Sequence, residues 1–177
     1  SSSSGSLRLV TSNAGKSGVS GQIVLSTGTS SSGNSGALYI GSGGAFLGHG
    51  GAIYVTVGSG NSGAGGEMLL SAGVSSSMTG GRLSILSGYS TVSTSGTLVV
   101  QTSNAGASGV SGMLILSTGT ASSGNSGALY FGSGSASSGR GGSVYISVGS
   151  GNSGTGGEIT VSAGVSSSKS SGGRVSV

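Results

Sequence analysis

The sequence predicts an all-β fold: a single parallel β-solenoid of about 11 coils, each of 15–16 residues, with no helices. Three observations predict it. A glycine followed by an apolar–x–apolar triplet returns every 15 or 16 residues along the whole chain. Within each triplet the apolar period is two, the period of one face of a strand. The remainder of each repeat is Ser, Gly, Asn and Thr, in a chain of 177 residues with 42 Gly, no Pro and no Cys.

The anchor glycines are Gly5, Gly21, Gly36, Gly51, Gly66, Gly81, Gly96, Gly112, Gly127, Gly142, Gly157 and Gly173. Each counts as position 1 of its repeat. Position 3 runs Leu7, Ile23, Leu38, Ile53, Met68, Leu83, Leu98, Leu114, Leu129, Val144, Ile159, Val175. Position 5 runs Leu9, Leu25, Ile40, Val55, Leu70, Ile85, Val100, Leu116, Phe131, Ile146, Val161, Val177. These two rows are the expected core. Position 7 is small, as in Thr27, Ser42 and Ala72, and a glycine at position 8 is expected to turn the chain at the end of each strand. The return path is expected to carry Ser32, Ser62, Ser77, Ser123, Ser153 and Ser168 inward, hydrogen-bonded in rows along the axis. Asn34, Asn61, Asn125 and Asn152 stand in Asn-Ser-Gly bends, where a left-handed backbone is tolerated. A helix is excluded by the frequent glycines and the period of two.

A longer period overlies the short one. Ser12-Asn13-Ala14-Gly15 returns as Ser103-Asn104-Ala105-Gly106, and Glu67 returns as Glu158. The chain therefore reads as one continuous solenoid over 1–177, with superunits at about 5–95 and 96–177. The third of the 16-residue coils holds its extra residue near Lys169-Ser170-Ser171-Gly172. Neither end carries a polar cap, so a segment of a longer array is expected.

Position 4 should face outward. It places Val24, Tyr39, Tyr54, Leu69, Val99, Ile115, Tyr130 and Tyr145 on one stripe, a candidate interface. Tyr39 with Tyr54, and Tyr130 with Tyr145, are expected to stack on adjacent coils. At position 2, Glu67 and Arg82 are expected to pair one coil apart, as are Glu158 and Arg174. Such exposed pairs contribute little energy.

Composition excludes several functions. Charged residues are 5% of the chain and the net charge is +4 from six Lys and Arg, too dilute for a nucleic-acid footprint. No run of about 18 apolar residues is present, so no membrane span is expected. There is one histidine, His49, and no Asp or Cys. A catalytic triad, a metal site and an Asp-based calcium β-roll are therefore not expected. The GxGxxG matches at Gly58–Gly63 and Gly149–Gly154 are not followed by a helix, and no cofactor is expected.

The Gly-x-apolar-x-apolar-Ser-x-Gly pattern with Ser/Gly-rich returns resembles low-complexity surface repeats of diatoms and other microalgae. More loosely it resembles β-roll heads of bacterial adhesins and the 15-residue solenoids of insect antifreeze proteins. The resemblance implies an extracellular or cell-surface setting and a structural role. The sequence thus points to a non-enzymatic protein that forms an extracellular fibre or surface coat by coil stacking and lateral contacts. O-glycans on its Ser and Thr are compatible with that setting. Ice binding is the first alternative, although position 9 (Thr29, Gly44, Ser59, Val74, Tyr89) is too irregular for a flat Thr row. An adhesin or glycan-binding stalk that stacks sugars on Tyr39, Tyr54, Tyr130 and Tyr145 is the second.

Overall fold

In a computed structural model, residues 4–167 and 171–177 are described. Among them there is neither a helix nor a β-strand. The predicted all-β solenoid is therefore not the fold. The twelve triplets are present as runs without ladder hydrogen bonds between them. The backbone divides into two compact segments, Ser1–Ile85 and Leu86–Val177.

Absence of a ladder goes with absence of a core. No described residue is buried, and only Ala72 and Ala163 are partly covered. The accessible surface is 17732 Å². A compact protein of this mass exposes about 7,500 Å², and a fully extended chain about 23,500 Å². The physical reason lies in the return segments. An apolar sheet face must be covered by a second apolar layer. Returns made of Gly, Ser, Asn and Thr offer none, so the two expected core rows have nothing to pack against.

The 15-residue period nevertheless survives as real structure, in two local devices. The first is a bend in every repeat. Bends fall at 16–17, 31–33, 46–48, 61–63, 76–78, 91–93, 107–108, 122–124, 137–139 and 152–155, and again at 167. Almost all centre on positions 11–13, well after the position-8 glycine that the sequence suggested as the corner. Positive φ is confined to position 13: Gly63 (104°), Gly124 (134°), Gly139 (151°) and Gly154 (86°). L-residues rarely adopt this region, and glycine does so freely. No asparagine takes a positive φ; the left-handed role expected of Asn61, Asn125 and Asn152 belongs to the nearby Gly63, Gly124 and Gly154, and beside Asn34 no residue takes it.

Where position 13 is Met78 or Ser93, a serine at position 10 makes the bend. Ser75 Oγ accepts from the Met78 N–H at 3.0 Å and from the Ser77 N–H at 3.4 Å. Ser90 Oγ accepts from the Ser93 N–H at 2.9 Å and the Val92 N–H at 3.3 Å. This is a side chain imitating a backbone turn. Ser30 does the same for Gly33 N–H at 3.0 Å, and Gly33 then has no positive φ. The 16-residue repeat from Gly96 uses a third form, a backbone turn in which Gly109 N–H donates to Gly106 O at 3.2 Å. Gly48, after Ala45, uses none of the three.

The second device closes each repeat. The return brings the next anchor glycine back against position 7. Thr27 Oγ1 donates to Gly36 O at 3.1 Å, Ser42 Oγ to Gly51 O at 2.7 Å, Thr118 Oγ1 to Gly127 O at 3.1 Å and Ser133 Oγ to Gly142 O at 2.7 Å. Thr11 reaches Gly21 O at 3.5 Å. Elsewhere the anchor N–H donates to the position-8 carbonyl: Gly81 to Gly73, Gly96 to Gly88 and Gly173 to Gly164, each at 2.8 Å. Val57 and Val148 close against Gly66 and Gly157 by apolar contact.

This closure crowds several anchors, while at Gly96 and Gly127 the nearest atoms lie 3.5 Å from an added Cβ, an ordinary contact. A Cβ added at Gly21 would lie 3.0 Å from Thr11 Cβ, and one at Gly51 would lie 3.1 Å from Ser42 Cβ. A Cβ at Gly5 would meet nothing within 4 Å. Where the closure is hydrogen-bonded, it spans a sequence separation of eight to ten residues. The expected inward rows at Ser32, Ser62, Ser77, Ser123 and Ser153 do not form; the hydroxyls that bond include those of positions 7 and 10 and that of Thr160. Ser168 and the extra residue placed near Lys169-Ser170 lie outside the described residues.

Candidate functional site

The extended triplets keep a faint memory of the predicted alternation. From Ile23 to Val175, position-3 side chains are 46–55% exposed, while the candidate-interface residues of position 4 are 67–92% exposed. Position 3 is therefore more sheltered than position 4, though less than position 7, where Ala72 and Ala163 are partly covered and Val57 and Val148 are 43% and 44% exposed. Leu7, in the first repeat, is 87% exposed against 53% for Ile23. Shelter at position 3 thus comes from the repeat before it, through the closure described above.

The eight candidate-interface residues Val24, Tyr39, Tyr54, Leu69, Val99, Ile115, Tyr130 and Tyr145 are all exposed. The structure does not bring their rings together: neither Tyr39 and Tyr54 nor Tyr130 and Tyr145 make a ring contact. With adjacent triplets unpaired, nothing holds position 4 of one repeat beside position 4 of the next.

The charged candidates also remain apart. No ion pair joins Glu67 to Arg82 or Glu158 to Arg174. Glu158 Oε1 instead accepts a hydrogen bond from Thr160 Oγ1 at 3.0 Å, two residues along the same run. An i,i+2 partner on the same side of an extended backbone is nearer than a carboxylate's partner one repeat away. Among the described residues no group of three or more His, Cys, Asp or Glu is placed to hold a metal. Among the described residues no helix is long and apolar enough to cross a membrane.

One concave feature stands out. In the segment Leu86–Val177, an open groove of about 630 Å³ is lined by Leu114 and Leu116, Phe131, and the run Val144-Tyr145-Ile146 with Ser147. These come from three consecutive repeats, anchored at Gly112, Gly127 and Gly142. Leu114, Leu116, Phe131, Val144 and Ile146 belong to the rows expected to form a core. The structure makes them a surface. The signal for the groove was present in one residue: Phe131 is the single aromatic in the position-5 row. Its counterpart 91 residues earlier is Ile40.

The groove walls are apolar and carry no titratable group except the Tyr145 phenol. The arrangement can bind an apolar or aromatic side chain by desolvation. It holds no acid–base pair and no nucleophile–base pair, so it offers nothing for proton transfer or covalent chemistry. Comparison of the chain with protein-family models, curated proteins and solved structures gives no match.

Proposed function

We propose that this chain is a structural, non-enzymatic protein that self-associates through its apolar triplets into an extracellular fibre or cell-surface coat. One observation carries the reading. Large apolar side chains recur on a 15–16-residue spacing along the chain, and among the described residues none is buried. Soluble monomers rarely expose contiguous apolar patches above a few hundred Å². A chain that cannot cover its triplets from within gains the missing cover from other copies.

Low charge supports the same reading. The net charge of +4 is spread thinly, and no charged side chain lies between Arg82 and Arg140. Little electrostatic repulsion opposes close packing there. The extracellular setting rests on the resemblance to surface repeats. The exposed Ser and Thr of the returns would then be open to O-glycans, away from the triplets. The scarcity of acid–base groups supports a non-enzymatic role.

The test is a dilution series followed by sedimentation velocity and electron microscopy. Fibres or sheets should form above a threshold concentration. Replacing position-3 residues in both segments (Ile53→Ser and Leu129→Ser together) should raise that threshold at least about tenfold, since each side chain contributes roughly 1.5–3 kcal/mol when buried. A wild-type chain that stays monomeric up to about 1 mM, the weak end of specific binding, would rule the reading out.

A further inference from the structure

We propose that the five tyrosines are oxidative cross-linking sites, through which a haem peroxidase and hydrogen peroxide join copies of this chain by dityrosine bonds. This goes beyond self-association and is tested independently of it. Three observations carry it.

The first is access. Tyr39, Tyr54, Tyr89, Tyr130 and Tyr145 are 87–92% exposed. Four of them stand at position 4, the more exposed side of their triplets, and Tyr89 stands just before the Ser90 bend. Even Tyr145, on the groove wall, is 90% exposed. No described residue makes a hydrogen bond to any of the five phenols. The hydroxyl and the ring carbons ortho to it are thus open to an oxidant too large to enter a core.

The second is chemical selectivity. Nearly every side chain of this molecule is exposed, so exposure alone selects nothing. The chain has no Cys and no Trp, which leaves the phenols as the groups that give up one electron most readily. Aliphatic side chains and the Ser and Thr hydroxyls are inert to such an oxidant. The three methionines follow a different route, in which peroxide transfers oxygen to sulfur and no cross-link results.

The third is placement. No two tyrosine rings touch, so each is presented to other copies rather than to a ring of its own chain. The segment Ser1–Ile85 carries Tyr39 and Tyr54, and Leu86–Val177 carries the other three. A chain with one coupling point can only dimerise, whereas one with more than two builds a branched network. The carboxylates Glu67 and Glu158 stand well away in sequence from every tyrosine, and charged residues are 5% of the chain. Little repulsion therefore opposes the meeting of two copies at these rings.

The step balances as follows. Each of two phenols loses one electron and one proton and becomes a phenoxyl radical. The radicals join through their ortho carbons, forming one C–C bond. The ortho hydrogens then move to the oxygens and restore both phenols. Net, the pair has lost two hydrogens, and their electrons and protons reduce one hydrogen peroxide to two waters at the peroxidase haem.

The experiment uses the full chain in wild-type form, with Tyr→Phe at all five positions, and in five forms that each keep one tyrosine. Phe keeps the ring and removes the phenol. Each form is treated with horseradish peroxidase and hydrogen peroxide, then read by denaturing gel and by mass spectrometry of its peptides. Wild type should give a ladder beyond dimer, with linked peptides weighing the sum of two tyrosine peptides less two hydrogens. The all-Phe form should stay monomeric, and each single-tyrosine form should stop at dimer. Peroxide without peroxidase should oxidise methionine and link nothing. A wild type that stays monomeric on the gel, or that loses hydrogens only within single chains, overturns the proposal, as does an all-Phe form that gives the same ladder. A single-tyrosine form that does not dimerise overturns the assignment of that tyrosine. Sedimentation velocity without peroxidase reads unaided association separately. Cross-linking by a chain that never associates unaided leaves this proposal standing and removes the self-association reading; the reverse result does the opposite.

Discussion

The bend at Gly60–Gly63 and the bend at Ser75–Met78 lie in consecutive repeats and reverse the chain at the same two positions. They do so with different chemistry. Gly63 takes a φ of 104°, a conformation that needs no side-chain partner but excludes most residues. Met78 stays at negative φ, and Ser75 Oγ accepts its N–H instead. One bend relies on backbone freedom and the other on a hydroxyl. The spacing of the repeat is thus selected at the level of the bend, whichever chemistry supplies it.

The largest effect should come from the closure that ends the Ser75 repeat. An added Cβ at Gly81 would lie 3.0 Å from Gly73 N and 3.3 Å from both Ala72 Cβ and Gly73 O. Backbone atoms cannot rotate away. Gly81→Ala should therefore open the Gly81–Gly73 hydrogen bond at a cost of about 1–3 kcal/mol, read as lost protection of the residue-81 amide in hydrogen exchange. The Gly60 repeat closes differently: a Cβ at Gly66 would meet only the Val57 Cγ1 methyl at 2.5 Å, with Val57 Cβ at 4.0 Å. Rotation of Val57 relieves that overlap, so Gly66→Ala should cost less than Gly81→Ala.

Next in size is Gly63→Ala, which places a Cβ on a positive φ and should cost about 1–3 kcal/mol of local order. The backbone coupling constant at residue 63 would report the change. Adding Gly60→Ser converts the bend to the serine type and should recover part of the loss. A double variant no better than the sum of its parts would show that the two bend chemistries are not interchangeable.

Ser75→Ala should act more weakly, by about 0.5–1.5 kcal/mol, since its hydrogen bonds are exposed to water. Met78→Gly in the same chain should compensate by opening the glycine route. Amide exchange at residue 78 would check both. The smallest effect belongs to Gly5→Ala, which meets nothing within 4 Å and should fall within about 0.5 kcal/mol of wild type. A large effect there would mean that the anchor glycines matter for a reason other than closure.

Much of this local order was legible in the residues. The period, the anchor glycines and the small position-7 residues could all be read directly, because each is met within a single repeat. The place of the corner was less legible. Position-8 glycines are more regular than those at position 13, and only backbone conformation separates Gly63 from Gly58. Interchangeable bend chemistries also hide the corner, since Gly60/Gly63 and Ser75/Met78 share no residue type. The groove was not legible at all as a surface. Leu114, Leu116 and Phe131 carry the alternation of a buried strand face, and alternation records which side chains share a face, not whether anything covers them.

By itself the sequence determined the 15–16-residue period and which side chains share a row. These depend on steric limits and hydrogen bonds spanning no more than one repeat. Only the tertiary structure decided that the rows stay open, that Glu158 turns to Thr160 rather than to Arg174, and that three triplets form a groove. Covering an apolar row requires atoms from another layer, and returns of Gly, Ser, Asn and Thr have no such layer to give.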